Sequence, residues 1–291
     1  MNKIKFIYNP ISGSGVIKTK LDHIIERFQR HGITIVPHKL LGKNDIKKVF
    51  KEFDQKEFSG IVAAGGDGTL HDVINEIMSK DIKLPLGIIP AGTSNDFASF
   101  FGIPKKLDEC IDVIIKQNLQ SIDIGKINDK YFVNVVAGGI LPSIAHKTDK
   151  KLKNSMGMLA YYLKAIEEIK NIKPFKIDIT IDQQKFSEEI ITFLVLNTSV
   201  AGGLRVMPEA CIDDGYFNVC LVKNCNIPES AALFIKLLKG EHTEDKKTIC
   251  LKGKNIIISS KTKLEIDIDG EKGHDGPLKI EVLSKALKVL K

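Results

Sequence analysis

The stretch Ala63-Ala-Gly-Gly-Asp-Gly-Thr-Leu-His-Asp-Val-Ile-Asn-Glu76 decides the fold of the first part of the chain. It predicts a buried strand, a glycine turn and an amphipathic helix in direct succession. Gly65, Gly66 and Gly68 allow a positive φ and a close approach of a ligand to the backbone. We expect Thr69 to cap the helix. Backbone N–H groups at such a helix start form a good seat for phosphate.

Strand-like and helix-like patterns alternate from the N-terminus to about residue 120, which is typical of parallel βαβ units. Beyond that point, short strand-like runs and hairpin signals predict a β-rich sandwich or a folded-over sheet. The first half is expected to hold strands at 3–8, 34–38, 60–64 and 86–89 and helices at 19–30, 45–53 and 107–116. The second half is expected to hold strands at 123–127, 130–136, 176–181, 185–189, 191–197, 216–222, 255–259 and 264–269, with helices at 157–171 and 228–239.

The composition is that of an ordinary globular protein, with 43% hydrophobic and 27% charged residues. A net charge of +7 suits a nucleotide, an acidic membrane surface or a nucleic acid, and solvated surface lysines explain it equally well. The five cysteines include no CxxC pair, which argues against a metal cluster, and their odd number indicates reduced thiols in a cytoplasm. No apolar run approaches the roughly 18 residues of a membrane span. We therefore expect a protein that is soluble, or at most peripheral to a membrane.

Three glycine-containing turns, at residues 9–15, 65–69 and 91–96, follow three of the predicted strands. In a parallel sheet these turns lie at the carboxyl edge, where ligands bind, and together they predict a nucleotide site. The usual nucleotide motifs are absent. No glycine precedes Lys18 as a P-loop requires, and His71 stands where the dinucleotide fingerprint needs its third glycine.

Three motifs together resemble the diacylglycerol kinase catalytic-domain family: Asn9-Pro-x-Ser-Gly13, Gly65-Gly-Asp-Gly-Thr-Leu70 and Pro90-Ala-Gly-Thr-x-Asn-Asp-Phe97. That family includes soluble bacterial lipid kinases and the sphingosine and ceramide kinases. The resemblance continues through Asp213-Asp-Gly-Tyr-Phe217 and Asp269-Gly-Glu271, and so spans nearly the whole chain. Gly-Gly-Asp-Gly alone is less specific, because NAD kinases and phosphofructokinases carry similar turns.

The resemblance implies an α/β plus all-β fold. The first domain would be a βαβ nucleotide-binding domain of the NAD kinase and phosphofructokinase type, over residues 1–122 and rejoined by about 278–291. The second would be a β-sandwich over residues 123–277 that binds lipid and metal. The implied protein is cytoplasmic and peripherally associated with the inner face of the membrane. The family also allows a homodimer.

The resemblance further implies a magnesium-dependent lipid kinase of phospholipid biosynthesis, which transfers the γ-phosphate of ATP to diacylglycerol and gives phosphatidic acid. Its partners would be ATP and a lipid at the membrane surface, with no nucleic acid. Three alternatives stay open. The acceptor is another lipid alcohol, such as a sphingoid base or phosphatidylglycerol; the chain is a soluble-metabolite kinase of the NAD kinase type; or it binds lipid or nucleotide without catalysis.

The site residues follow from the matched motifs. Asp67 would orient the triphosphate or Mg²⁺-bound water. Glu271 would accept the proton of the lipid hydroxyl, with Asp269 as a close rival. His71 is expected to be a cap or a surface contact rather than a catalytic group. The residues implied to contact ATP are Asn9, Pro10, Ile11, Ser12, Gly13, Gly65, Gly66, Asp67, Gly68, Thr69, Leu70, His71 and Thr93.

Other acidic and basic residues have two readings each. The resemblance implies a structural Mg²⁺ held by the Asp214 carboxylate and the carbonyls of Cys211 and Tyr216, whereas the residues alone are consistent with an Asp-Gly hairpin turn. Asp96 either closes the third loop through an Asx-type turn or reaches the metal network, which Asp123 would also join. The lysines ahead of an apolar helix at 156–169 either dock on anionic lipid or form a solvated helix entrance; they are Lys147, Lys150, Lys151 and Lys153.

Overall fold

The structure is a computed structural model that describes residues 2–13, 15–42, 44–139, 174–273 and 276–291. The chain divides into two compact units. The first unit comprises Met1–Ile124 and Ser284–Lys291, and the second comprises Gly125–Leu283. The lysine group at 147–153 and the predicted helix that follows it lie outside the described residues. No helix in the described ranges is both long and apolar enough to cross a membrane.

The first unit is built on a parallel sheet in the order β2-β1-β3-β4, and the end of the last strand of the chain pairs with β4. All six residues of β3 are buried, as expected of a central strand covered on both faces. The predicted βαβ architecture is thus confirmed. The elements are β1 (Asn2–Tyr8), α1 (Val16–Thr19), α2 (Leu21–Gln29), β2 (Ile33–Lys39), α3 (Asp45–Lys51), β3 (Gly60–Gly65), α4 (Asp67–Ser79), β4 (Leu86–Pro90), α5 (Asp96–Phe101), α6 (Leu107–Lys116) and β5 (Leu119–Ile127).

The helix expected at 19–30 is α2, but the short helix α1 ahead of it was not predicted. The two helices are separate because Lys20 has φ −107° and ψ 10°, outside the helical region. The N–H of Lys20 closes the last turn of α1 on Val16 O, and its carbonyl accepts the N–H of Ile24 to start α2. Helix α5, which follows the third glycine-containing turn, was not predicted either.

The second unit is a sheet of antiparallel strand pairs in the order β16-β15-β7-β9-β8-β14-β17, with β12 also paired to β9 and β13 to β12. Phe132, Phe193 and Phe217 are fully buried within its main apolar cluster. The remaining elements are β6 (Lys130–Phe132), β7 (Val135–Gly139), β8 (Phe175–Ile181), β9 (Gln184–Leu196), β10 (Val200–Ala201), β11 (Leu204–Arg205), β12 (Phe217–Lys223), α7 (Ile227–Lys239), β13 (Thr248–Gly253), β14 (Asn255–Ser260), β15 (Ile266–Ile268), β16 (Glu271–Lys272) and β17 (Leu278–Leu290).

Two strand predictions in this unit were wrong. The expected strands at 185–189 and 191–197 are the single strand β9, which exchanges β8 for β7 and β12 as partners near Ile190. The expected strand at 130–136 is divided into β6 and β7. The two strands are separate because backbone N–H groups where β6 ends and β7 begins donate to the carboxylate of Asp269. Strand β13 was not predicted at all.

Candidate functional site

The three glycine-containing loops of the first unit are joined through their backbones. They follow β1, β3 and β4, which are neighbours in the parallel sheet. The N–H of Asn9 donates to Ala64 O at 3.0 Å, and the N–H of Ala91 donates to Gly65 O at 2.8 Å. The loops therefore form one continuous surface at the carboxyl edge of the sheet, as the sequence predicted.

Glycine is required in these loops mainly because backbones pass close to one another. A Cβ on Gly92 would lie 2.6 Å from Gly66 Cα, and a Cβ on Gly65 would lie 2.6 Å from the Thr69 side chain. Gly13 combines φ +56° with a Cβ position 2.5 Å from Ala91 O. Gly66 itself has φ −90°, so the positive φ expected there is not found. Close approach, the second expected reason for glycine, is the one that applies at the central turn.

Asn9 and Thr69 connect the first loop to the second. The Asn9 side chain accepts the N–H of Ile11 at 3.1 Å and donates to Thr69 Oγ1 at 3.3 Å. Helix α4 begins at Asp67 with Gly66 as its N-cap, so Thr69 lies within the first turn and is buried. The predicted capping role of Thr69 was therefore wrong. Its hydroxyl instead serves as the anchor for the Asn9 amide.

Asn95 holds the third loop and connects it to the second. Its side chain accepts the N–H of Gly92 and donates to Gly92 O, both at 2.8 Å. Its backbone N–H donates to Asp67 Oδ2 at 2.8 Å. Asn95 has φ +50°, a conformation that asparagine tolerates better than most residues. Asn95 thus makes a closure of the third loop of the kind that was one of the two alternatives for Asp96, and it was not among the predicted site residues.

A small pocket lies at the start of α4, between the second and the third loop. Ile11 and Thr93 are exposed on the outer loops, where a ligand can reach them. His71 is buried beside Asn75, whose amide donates to His71 O at 2.9 Å, so the predicted surface contact of His71 was wrong. The pocket is lined by Ala63, Gly65, Gly66, Asp67, Leu70, Ile88, Pro90, Asn95 and Ala98.

Asp123 has a structural contact in the same unit. Its side chain is fully buried and accepts the N–H of Lys285 at 2.7 Å. Lys285 has φ +50°, which marks a local irregularity of β17. The carboxylate therefore attaches the returning C-terminal strand to β5.

In the second unit, Asp269 accepts three backbone N–H groups. Its Oδ2 lies 2.7 Å from Val133 N, and its Oδ1 lies 2.9 Å from both Asn134 N and Val135 N. The Asp269 backbone N–H also donates to Val135 O at 3.0 Å. This carboxylate is therefore a structural anchor for the segment between β6 and β7.

Glu271 lies two residues further on, at the start of β16, and its side chain is exposed. It is paired with Ile268 across the short β15–β16 hairpin. The hairpin is shaped by Gly270, which has φ +89° and donates its N–H to Asp267 Oδ1 at 2.7 Å. A carboxylate on a fixed hairpin and open to solvent is accessible to a substrate hydroxyl.

The loop ahead of β12 carries the predicted metal ligands. Asp214 Oδ1 accepts the N–H of Tyr216 at 3.0 Å, and Gly215 has φ +76°. Asp214 Oδ2 lies 2.7 Å from the ammonium of Lys252, and this hydrogen bond raises the pKa of Lys252. The thiol of Cys211 donates to Asp213 Oδ1 at 3.0 Å, and that bond raises the pKa of the thiol.

The Asp214 loop thus already binds a positive charge, supplied by Lys252. Among the described residues, no three His, Cys, Asp or Glu side chains cluster closely enough to hold a metal ion by themselves. A carboxylate and backbone carbonyls are, however, the hard oxygen ligands that Mg²⁺ prefers. The donors therefore fit a divalent cation that takes the place of the Lys252 ammonium.

The two units match two described families. Residues 3–127 match the diacylglycerol kinase catalytic domain, and residues 134–291 match the YegS C-terminal NAD kinase beta sandwich-like domain. The parallel sheet with its glycine-containing loops thus corresponds to the first family, and the β-rich unit corresponds to the second.

Individual relatives extend over nearly the full chain. The chain is 35% identical to a diacylglycerol kinase of Bacillus subtilis (strain 168) over 94% of its own length and 91% of the relative's. It is 35% identical to a diacylglycerol kinase of Staphylococcus aureus (strain JH9) over 99% and 91%. A solved structure of a diacylglycerol kinase from Bacillus anthracis str. Sterne matches with a TM-score of 0.83 and 27% identity, over 99% of this chain and 96% of that one. The chain belongs to the diacylglycerol kinase family, which confirms the resemblance and the fold class inferred from the sequence.

Proposed function

We propose that the chain is an ATP-dependent lipid kinase that transfers the γ-phosphate of ATP to the hydroxyl of diacylglycerol, giving phosphatidic acid. The observation that carries the proposal is the set of three joined loops in the first unit, found in a chain that belongs to this family. Residues 1–122 with 278–291 would bind ATP, and residues 123–277 would bind lipid and metal.

The phosphates of ATP are proposed to bind where the three loops meet. Helix α4 has 13 residues, and its first N–H groups and dipole favour an anion at this position. The close contact of Gly66 with Gly92 holds the second and third loops together beside this helix start. The contacts come from the residues the sequence implied: Asn9, Pro10, Ile11, Ser12, Gly13, Gly65, Gly66, Asp67, Gly68, Thr69, Leu70, His71 and Thr93.

Glu271 is the proposed general base. Its exposed carboxylate would accept the proton of the lipid hydroxyl while the hydroxyl oxygen attacks the γ-phosphorus and ADP leaves. Asp269 is the weaker candidate, because its two oxygens accept three backbone N–H groups within 2.9 Å. Asp67, which accepts the N–H of Asn95, would orient the triphosphate.

Mg²⁺ is proposed to accompany ATP and to bind the Asp214 loop. The Asp214 carboxylate and the carbonyls of Cys211 and Tyr216 would hold it there, with Lys252 displaced from Asp214 Oδ2. A bound Mg²⁺ supplies charge and rigidity to the loop. Transient association with the inner face of a membrane would bring the enzyme to its lipid.

A lipid panel assay tests the proposal. Purified protein is incubated with labelled Mg-ATP and mixed micelles containing diacylglycerol, a sphingoid base or phosphatidylglycerol, with NAD as a soluble acceptor. We expect label in phosphatidic acid, and a loss of turnover in Glu271→Gln with unchanged ATP binding. Label in NAD and in no lipid would show instead a kinase of the NAD kinase type.

A further inference from the structure

Cys220 and Cys250 lie directly opposite each other on the antiparallel strands β12 and β13. The hydrogen bonds between β12 and β13 show whether the two cysteines form a hydrogen-bonded or a non-hydrogen-bonded pair. Lys223 N donates to Lys247 O at 2.8 Å, and these two residues are opposite each other in the same register. Hydrogen-bonded and non-hydrogen-bonded pairs alternate along an antiparallel ladder, and the two cysteines are three steps from the Lys223–Lys247 pair. They therefore occupy a non-hydrogen-bonded pair.

This position is favourable for a covalent cross-link. Cα atoms of such pairs are typically about 4.5 Å apart, which lies within the range that a disulfide spans. Cys220 and Cys250 are both free thiols, and both side chains contact the same apolar cluster. The register therefore places the two thiols where a disulfide can join the strands.

The two thiols have different surroundings. Cys220 is 2% exposed and packs in an apolar cluster with Leu194, Leu196 and Met207. Cys250 borders the same cluster but is partly exposed. Cys250 is therefore the member that a small reagent reaches first, with Cys220 held behind it.

The two thiols also affect each other's ionisation. The neighbouring Cys250 side chain and burial raise the pKa of the Cys220 thiol, while the interaction with Cys220 lowers the pKa of Cys250. The pKa values of the other three cysteines are raised. Burial raises the pKa of Cys110 to about 11 and also raises the pKa of Cys225, and the hydrogen bond to Asp213 raises the pKa of Cys211. The thiolate is the reactive form of a cysteine, and the partial exposure of Cys250 makes it the thiol of the pair that meets a reagent first.

We propose that Cys220 and Cys250 form a cross-strand dithiol site that small peroxides oxidise to an intramolecular disulfide. The Cys250 sulfur attacks one oxygen of the peroxide and becomes a sulfenic acid, with release of the first water from hydrogen peroxide. The Cys220 sulfur then attacks the Cys250 sulfur, its proton leaves with the hydroxyl as a second water, and the S–S bond forms. Two electrons pass from the two thiols to one peroxide, which is reduced to two waters.

The site has a structural consequence for the neighbouring loop. Lys252 lies two residues from Cys250 and therefore on the same face of β13, and its ammonium holds Asp214 at 2.7 Å. A disulfide fixes β12 to β13 immediately beside this ion pair. We expect the oxidised protein to have a higher Tm than the reduced protein.

The test uses the wild-type protein, treated with hydrogen peroxide under native conditions and then with N-ethylmaleimide. We expect the intact mass to fall by two hydrogen atoms before alkylation, and a peptide map of the alkylated protein to show one cross-link between Cys220 and Cys250, which dithiothreitol reverses when it is added before alkylation. Cys250→Ser should lose the cross-link, and Cys225→Ser, which alters another thiol of the same unit, should keep it.

The outcomes separate clearly. Recovery of both thiols as maleimide adducts while Cys211 is oxidised would overturn the proposal, as would a cross-link to any other cysteine or to a second chain. Because the wild-type map decides the result alone, an unstable serine variant does not leave it open. The proposal is independent of the lipid kinase activity.

Discussion

Replacing Asp269 separates a structural carboxylate from a catalytic one. Asp269→Ala removes the acceptor of the N–H groups of Val133, Asn134 and Val135, at 2.7, 2.9 and 2.9 Å. A hydrogen bond to a charged group contributes about 1.5–3 kcal/mol when its loss leaves a buried donor unpaired. Asp269 is only half-buried, so water replaces part of each bond. We therefore take about 1 kcal/mol for each bond and expect a loss of about 3 kcal/mol in the free energy of unfolding.

The expected change is large enough to measure by thermal unfolding. For a unit of this size, about 3 kcal/mol corresponds to a fall in Tm of about 6–12 °C. Asp269→Asn should lose less, because its amide keeps one acceptor and asparagine tolerates the φ of +51° found here. Glu271→Gln should leave Tm unchanged, since its side chain is exposed at the start of β16. Glu265→Gln, another exposed carboxylate just ahead of β15, is the matched control for both measurements.

Measuring turnover as well as Tm completes the comparison of Asp269 with Glu271. In the labelled-ATP assay, Glu271→Gln should lose turnover by about 100-fold or more, the usual effect of a general base. Asp269→Ala should lose turnover only in proportion to its lost stability and should recover at low temperature. If Asp269→Ala kept the wild-type Tm and abolished turnover while Glu271→Gln remained active, the assignment of anchor and base would be reversed.

Three further predictions concern other contacts. Asn95→Ala should raise KM for ATP at least tenfold because it opens the third loop, whereas Ser94→Ala should not; steady-state kinetics decides. Lys252→Met should increase the rise in Tm that Mg²⁺ produces, because it removes the competing ammonium from Asp214, and Lys254→Met should not; equal responses would contradict a Mg²⁺ site there. Burial lowers the pKa of His242 in the folded protein. The stabilisation by the neutral imidazole is therefore complete above about pH 6.5 and is lost as pH falls through the lower folded-state pKa. Tm measured from pH 8 to 5 should fall less steeply in His242→Gln than in the wild-type protein.

The parts of the fold that local patterns encode could be predicted. The strand expected at 60–64 is β3 at Gly60–Gly65, and the helix after it is α4 at Asp67–Ser79. Apolar periodicity and glycine act within a few residues, so a single stretch is sufficient to identify them. The edge of the sheet on which the loops meet followed from the same alternation of strands and helices.

The parts that depend on distant partners could not be predicted. Asp269 binds backbone groups 134 to 136 residues away, and nothing near it in sequence indicates that its carboxylate divides a strand there. The backbone N–H of Asn95 donates to the carboxylate of Asp67, which is 28 residues away in the sequence. The tendency of Asn95 towards positive φ is the only local signal, and that signal identifies a turn rather than a contact. The ion pair of Asp214 with Lys252 joins residues that are 38 positions apart, so it could not be predicted from the sequence for the same reason.

The acidic residues singled out in the two units therefore have two kinds of task, which the sequence alone does not distinguish. Asp67 and Asp269 each accept backbone N–H groups from a loop that is distant in sequence, so each holds a loop in place. Glu271 lies on a two-residue strand after a glycine turn and extends into solvent. A loss of activity on substitution is expected for all three and cannot distinguish them. Only the combination of Tm and turnover can, because a loop anchor changes both and a base changes turnover alone.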